Sequence, residues 1–341
     1  MGLNNLFQGS STPSDLGGGS LRLDPDYEKA FIDRWGTVIP PVPHNAASLR
    51  RQNNAALGAL MRQLPVHDGD SITQTEIPYA SADGTSITLH RFKPLHNPAY
   101  LHGGGFVSGS VKLFSPDIIR YAVSTGLTFY APAYRLAPEN PFPKPLQDAY
   151  SALEWLQRHA EQEGVDPARI AVMGNSAGAT LAAGTVLMAR DRGLTPAVGK
   201  LLLIYPALDY HGRNGQAEES NSSLTKHLTW TEKKNQIAWR AYLDGYTGAV
   251  DGYDSATEVS QYAVPARETD VSGLPRTYVD IGGLDLFRDE VLAFGARLAA
   301  ANVELELHLY PGVPHGWEWM APDVPVTKAA IENRCRALRG F

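Results

Sequence analysis

The sequence predicts an α/β protein with a mostly parallel central sheet covered by helices on both faces. Three observations carry that reading. Residues 72–92 alternate as an antiparallel hairpin, and from residue 99 onward short apolar segments alternate with helical patterns. One long polar stretch, 211–246, breaks the alternation after a strand. A chain that starts antiparallel and continues as strand–helix units builds a sheet buried on both sides. At 341 residues and 43% apolar content there is enough material for that core. The length exceeds the usual single domain of roughly 100–200 residues, so an insertion or cap is expected.

Taken in order, residues 1–20 read as a tail. Leu6-Phe7-Gln8-Gly9 resembles a protease-site scar, and Gly17-Gly18-Gly19-Ser20 has linker composition. The cationic stretch and apolar core of a signal peptide are missing there. Residues 25–64 read as helical, with Tyr27, Phe31 and Trp35, then Leu49, Leu57, Leu60 and Met61 on apolar faces. Thr73, Thr75, Ile77 and Tyr79 alternate with Gln74 and Glu76, the chain turns at Ala82-Asp83-Gly84, and Thr85–Phe92 alternates again. Later strands are expected at 99–101, 128–131, 170–172, 201–204, 276–281 and 304–310, with helices near 116–124, 145–163, 177–191, 287–301 and 327–339. In the polar stretch a capping box, Thr229-Trp230-Thr231-Glu232, opens a helix running to about Leu243. Residues 21–64 and 211–246 together form an expected lid over an α/β domain of residues 65–210 and 247–341.

Composition removes several function classes. Thirty basic residues against 36 acidic give a net charge of −6, and no basic cluster suited to nucleic acid is present. The longest apolar runs fall far short of the ~20 residues a membrane span needs. The single cysteine, Cys335, makes no internal disulfide, and no Cys/His group has zinc-ligand spacing. The expectation is a cytoplasmic protein without metal or cofactor.

Four local features carry chemistry. Gly174-Asn175-Ser176-Ala177-Gly178 joins a strand to an Ala/Leu-rich helix, so Ser176 sits on a tight strand-to-helix turn that needs small neighbours. The helix start beside it offers free backbone N–H groups. Taken alone, the motif reads nearly as well as a glycine-rich turn with a capping serine. His102-Gly103-Gly104-Gly105 follows a short strand, and glycines there let N–H groups face a cavity in the manner of an oxyanion hole. A phosphate loop would continue with Lys-Ser/Thr, which does not follow. His102 is better placed to orient the loop than to act as a base. Asp285, in Gly282–Glu290 after a late strand, is a candidate to orient a histidine, although alone it reads as a helix cap. His315, in Tyr310-Pro311-Gly312-Val313-Pro314-His315, is the candidate base. The order Ser176, Asp285, His315 is the chain order of α/β-hydrolase triads.

Together with Tyr134-Arg135-Leu136-Ala137-Pro138-Glu139 and Pro141-Phe142-Pro143, these motifs resemble the hormone-sensitive-lipase-like family of α/β-hydrolases over about residues 72–340. The resemblance implies the α/β-hydrolase fold, and a serine carboxylesterase acting on short- to medium-chain esters through Ser176, His315 and Asp285. It also implies an oxyanion hole from Gly104, Gly105 and Ala177, a cap from the N-terminal helices and the insertion, and the possibility of a homodimer. Four positions depart from the family pattern: Asn175 for the usual Asp, Ala179 for Gly, Trp317 for Phe and Leu286 for Pro. Asn175 bears on the pH profile and on hydrogen bonding at the turn, and leaves the nucleophile in place. Trp230, Trp239 and Trp317 are candidate substrate contacts. Trp239 shares a helical face with Tyr242, and Trp230 is expected on roughly the opposite side. Arg135 and Glu139 read better as braces than as substrate ligands. A lactonase, amidase or transacylase would use the same site. A non-catalytic receptor, like the gibberellin receptors that share the fold, would have lost the histidine that His315 retains.

Overall fold

The computed structural model describes residues 21–35, 41–64, 72–93, 99–210, 224, 226–244 and 259–340. The expected tail, and residues 211–223, 225 and 245–246 of the expected insertion, lie outside the described residues.

The hairpin forms as expected. β1 (Thr73–Ala80) and β2 (Ser86–Lys93) pair antiparallel from Thr73 opposite Lys93 to Ala80 opposite Ser86. The Ser81 amide closes the turn by donating to the Thr85 carbonyl at 2.8 Å. β2 then pairs antiparallel with β4 (Phe129–Pro132). From there β4, β3 (Ala99–Leu101), β5 (Ala171–Asn175), β6 (Lys200–Ile204), β7 (Arg276–Gly282) and β8 (Leu305–Tyr310) run parallel. Among the described residues the sheet order is β1-β2-β4-β3-β5-β6-β7-β8. Every residue of β4, β5 and β6 is buried, which accounts for their near-continuous apolar runs: a strand covered on both faces has no wet side to make polar.

Among the described residues two helices precede the sheet, α1 (Pro25–Trp35) and α2 (Ala46–Met61). The crossover helices follow as α3 (Val111–Thr125), α4 (Lys144–Arg158), α5 (Ala160–Glu163) and α6 (Ala177–Asp191). Then come α7 (Glu232–Tyr242), α8 (Arg288–Ala300), α9 (Trp317–Met320) and α10 (Pro325–Arg339). The chain steps from β3 back to β4, and afterwards only outward from β5 to β8. Right-handed crossovers therefore put α3 on one face and α4, α6 and α8 on the other. α10 packs with α3. β3 and β5 are neighbours whose chains leave in opposite directions, and Leu101 pairs with Gly174. Their following loops thus emerge side by side at the switch point where open parallel sheets bind ligands.

Above these carboxyl ends lie α1, α2 and α7. Trp35 Nε1 donates to the Met320 carbonyl (3.1 Å) and the Asp24 amide to the Gly312 carbonyl (2.8 Å). Arg50 of α2 donates to the carbonyls of Val107 and Ala137, and Asn54 accepts from the Gly109 amide. α7 is tied down where the Phe142 amide donates to the Tyr242 carbonyl at 2.7 Å.

The elements depart from the sequence reading in four places. The helix expected at 116–124 begins at Val111, capped by the Ser110 hydroxyl, and carries Pro116 inside it. The helix expected at 145–163 breaks at His159, whose ring stacks on Trp155. A helical turn, α9, forms directly after Gly316. The fourth concerns Trp230. The cap of α7 is Thr231, which accepts from the Lys234 amide, so Trp230 precedes the helix and is free of its face geometry.

Candidate functional site

Ser176 occupies the turn between β5 and α6 at φ 54° and ψ −125°, a region a non-glycine residue enters only when the surroundings enforce it. Its amide donates to the Ile204 carbonyl of β6 at 2.9 Å, and its carbonyl accepts from the Ala179 amide at 2.9 Å. A Cβ on Gly178 would sit well inside van der Waals contact of the Leu101 and His102 carbonyls, so only glycine lets α6 pass this close to the β3 loop. The turn is thus fixed from both sides with the serine side chain at its apex.

His315 lies on the loop after β8 and Asp285 on the loop after β7. His315 Nε2 is 2.9 Å from Ser176 Oγ, and His315 Nδ1 is 2.7 Å from Asp285 Oδ2. Asp285 is fully buried. Its other oxygen accepts from the Phe287 amide at 3.0 Å, so one carboxylate both ties the start of α8 and orients the imidazole. Asp209, the other acid near the end of β6, pairs instead with Arg267. The imidazole is walled by Tyr205 (ring centroids 4.7 Å), Phe287 (5.3 Å) and Trp230 (6.3 Å). The Thr229 hydroxyl donates to the His315 carbonyl at 2.7 Å, which fastens the segment before α7 to the histidine loop.

Beside the serine, the β3 loop turns back on itself. Gly104 and Gly105 have φ 129° and 61°. Their carbonyls are taken by the amides of Ser108 and Val107 at 3.1 and 2.7 Å. The N–H groups of Gly104, Gly105 and Ala177 have no acceptor among the described residues. The Ala177 amide is free because it opens α6, and the two glycine amides are left over by the loop's own turns; such N–H groups are available to a ligand oxygen. His102 holds the loop in shape. Burial lowers its pKa to about 4, its ring stacks between Phe114 and Tyr134, and its Nδ1 lies 2.8 Å from the Gly103 carbonyl. The Tyr134 hydroxyl donates to the His102 carbonyl at 2.6 Å. Neutral and enclosed, His102 has the orienting place its position in the sequence suggested.

The three tryptophans separate. Trp230 lies over the glycine loop, close enough that a Cβ on Gly105 would meet its Cη2 at 2.5 Å. Trp239 is buried against Phe106 (5.0 Å), Tyr242 (5.8 Å) and Tyr210 (6.1 Å). Trp317 is fully buried beside Tyr205 and Tyr310, with the Arg334 guanidinium 5.2 Å from its ring. Its neighbours are core side chains, and it packs beneath the histidine loop. Asn175 points its amide oxygen to Tyr100, whose hydroxyl lies 3.2 Å from both Asn175 Oδ1 and Asp117 Oδ2. Arg135 and Glu139 are absorbed by ion pairs, Arg135 with Asp148 and Asp83 and Glu139 with Arg50, which suits a bracing role. Tyr205 and Phe287 escaped the sequence reading, since an aromatic beside a strand end carries no local mark of what it will face. Among the described residues no cluster of His, Cys, Asp or Glu is arranged to hold a metal ion, and no helix is long and apolar enough to cross a membrane.

Comparison with known proteins gives the family. The alpha/beta hydrolase fold family matches residues 99–319. The esterase LipI of Mycobacterium tuberculosis (strain ATCC 25618 / H37Rv) is 33% identical over 240 residues, covering 70% of this chain and 71% of the relative. Carboxylesterase NlhH of Mycobacterium tuberculosis (strain CDC 1551 / Oshkosh) is 32% identical over the same length, covering 70% and 72%. Among solved structures, a bacterial heroin esterase superposes with a TM-score of 0.81 at 32% identity, covering 93% of this chain and 97% of that one. The hyperthermophilic esterase of Pyrobaculum calidifontis gives 0.78 at 29% identity, covering 94% and 98%. The chain belongs to the hormone-sensitive-lipase-like esterases of the alpha/beta hydrolase fold family and is a carboxylic ester hydrolase.

Proposed function

We propose that the protein hydrolyses short- to medium-chain carboxylic esters by two-step acyl transfer through Ser176, His315 and Asp285. The observation that carries the proposal is the unbroken hydrogen-bonded chain from Ser176 Oγ through both ring nitrogens of His315 to the buried Asp285 carboxylate. In the first step Ser176 Oγ attacks the ester carbonyl while His315 Nε2 takes the hydroxyl proton. Asp285 holds the proton on Nδ1 and stabilises the imidazolium. The carbonyl oxygen, now negative, receives the N–H groups of Gly104, Gly105 and Ala177. Losing one such donor typically costs ~100- to 1000-fold in rate. His315 then protonates the departing alkoxide, and water repeats the sequence on the acyl-enzyme.

The size preference is inferred from Trp230 above Gly105 and from Phe106, the residue after it, packed against Trp239 and Tyr242. On this reading α1, α2 and the 226–244 segment are the cap, and Trp317 is a packing residue that the substrate does not touch. The test is hydrolysis of p-nitrophenyl esters from acetate to dodecanoate by wild type and Ser176→Ala. Turnover should be confined to wild type and peak at the shorter chains. Activity surviving in folded Ser176→Ala would remove the nucleophile assignment, and an optimum at dodecanoate would remove the size assignment.

A further inference from the structure

Behind His315 lies a buried polar cluster that the acyl-transfer chemistry does not use. Tyr205, the first residue beyond β6, is fully buried at φ 35° and donates its amide to the Asp280 carbonyl of β7 at 2.8 Å. Its ring meets the His315 imidazole edge-to-face, with planes at 66°. Its hydroxyl donates to Glu318 Oε1 at 2.7 Å. The same oxygen accepts from Arg334 Nη1 at 2.7 Å, while Arg334 grips Asp280 through Nε and Nη2 at 2.6 and 3.1 Å. All four side chains are at most 1% exposed.

The connectivity makes this cluster more than packing. Glu318 stands in α9, three residues beyond His315. The contacts therefore close a ring: His315 leads by chain to Glu318, Glu318 by hydrogen bond to the Tyr205 hydroxyl, and the Tyr205 ring back to the His315 imidazole. Arg334 and Asp280 anchor the ring to α10 and β7. Burying one guanidinium with two carboxylates costs desolvation that their attraction barely offsets, so such a group is weak support for stability alone. It does fix geometry, because Glu318 Oε1 holds the Tyr205 hydroxyl and Arg334 together while Arg334 grips Asp280 with two further N–H groups, even though Glu318 Oε2 has no hydrogen-bond partner among the described residues.

We propose that Tyr205, held by Glu318 and Arg334, is a positioning residue that keeps the His315 ring aimed at Ser176 Oγ. This inference rests on the acyl-transfer reading above. The imidazole has its own bond to Asp285, which sets one axis of the ring. The Tyr205 ring packed against it limits rotation about that axis, and misplacement of a reacting group by about 1 Å can cost about 100-fold.

The experiment compares Tyr205→Phe, Tyr205→Leu and Glu318→Gln with wild type and Ser176→Ala. It measures kcat and KM on p-nitrophenyl acetate, and the rate of inactivation by diisopropyl fluorophosphate, which reports serine activation with little dependence on the ester pocket. Tyr205→Phe keeps the ring and loses its tether, so kcat and the inactivation rate should fall together by roughly 5- to 10-fold with KM nearly unchanged. Tyr205→Leu should lose roughly 100-fold. Glu318→Gln retains an acceptor for the hydroxyl and should stay closer to wild type than Tyr205→Phe. A folded Tyr205→Phe and Tyr205→Leu both within twofold of wild-type kcat, or a KM that rises in step with the fall in kcat, would overturn the inference. If Ser176→Ala itself turned over ester, the acyl-transfer reading would fail first. A dead Ser176→Ala beside fully active Tyr205 variants would sink this inference alone.

Discussion

Replacing Gly105 by alanine adds one methyl group where the structure has room for none. Gly105 sits at φ 61°, and its new Cβ would lie 2.5 Å from Trp230 Cη2, 2.9 Å from Cζ2 and 3.4 Å from the Ala238 Cβ. Carbon atoms rest at about 3.5–4.0 Å, so the indole or the loop must retreat by roughly 1 Å. The left-handed conformation itself costs alanine about 1 kcal/mol, and overpacking of this kind about 1–3 kcal/mol. The substitution should therefore lower stability by about 2–4 kcal/mol. The larger effect falls on rate. If the loop gives way instead of the indole, the Gly105 N–H leaves its aim, and kcat on p-nitrophenyl acetate should drop by roughly 100-fold or more with a smaller change in KM. The assay is steady-state hydrolysis and thermal melting of Gly105→Ala, Trp230→Ala and the double variant. Removing the indole relieves the collision, so the double variant should recover roughly 10-fold of the lost kcat, a coupling expected only of residues in contact. A Gly105→Ala protein with wild-type kcat and melting temperature would refute both the close approach and the donor role. A double variant no better than Gly105→Ala would refute the collision as the cause.

Asp285→Asn should reduce kcat by about 10⁴-fold, as loss of the orienting acid does in other triads, whereas Asp209→Asn should stay within several-fold because its carboxylate serves Arg267. Equal losses, measured on the same ester, would show the acid to be misassigned. Glu290 accepts from the amides of Leu208 and Asp209, and burial pushes its carboxyl well above the ordinary range. The folded state therefore keeps a proton that the unfolded chain releases above about pH 4.5, so this group makes stability fall as pH rises from there toward its folded value. Glu290→Gln keeps an acceptor and does not titrate. Urea melts should show its stability relative to wild type improving from pH 5 to pH 8, and a relative loss that grows with pH would contradict the assignment. Trp230→Ala should alter KM and the chain-length preference. Trp317→Ala should lower stability by about 3–5 kcal/mol and leave that preference alone, and a shifted preference in folded Trp317→Ala would return it to the pocket wall.

The fold was legible where the sequence states it locally. Apolar runs such as Leu201-Leu202-Leu203-Ile204 announce strands with no wet face, and the hairpin at 73–93 declares itself through alternation and a Gly84 turn. Boundaries were less legible. Ser110 is an ordinary N-cap, but Pro116 six residues into α3 argues against a helix that starts before it; the cap and the tertiary packing outweigh the missing donor. His159 breaks a helix whose apolar pattern runs straight through it, since its ring stacks on Trp155 and its Nδ1 lies 2.8 Å from the Trp155 carbonyl. Helical spacing says nothing of where Trp230 lies, because it stands one position before the cap of α7 and does not obey that spacing.

The candidate site was legible for a different reason. Ser176, Asp285, His315 and the glycine loop each end a strand, and a parallel sheet gathers all its strand ends on one rim. Order along the chain then becomes order across the sheet, with β5, β7 and β8 presenting serine, acid and histidine in turn. Only the glycines leave a local trace of this, because they mark where backbone must approach backbone. The cluster behind the histidine leaves no such trace. Tyr205 lies just beyond β6, and Asp280, Glu318 and Arg334 lie on β7, α9 and α10; none has a neighbour in sequence whose chemistry announces a partner. Their residue types are those of any surface, and burial alone turns them into a geometric constraint. Groups that must meet a substrate are disclosed by the turn chemistry that exposes them. Groups that hold those residues in place become visible only when the tertiary structure brings opposite charges together in the dark of the core.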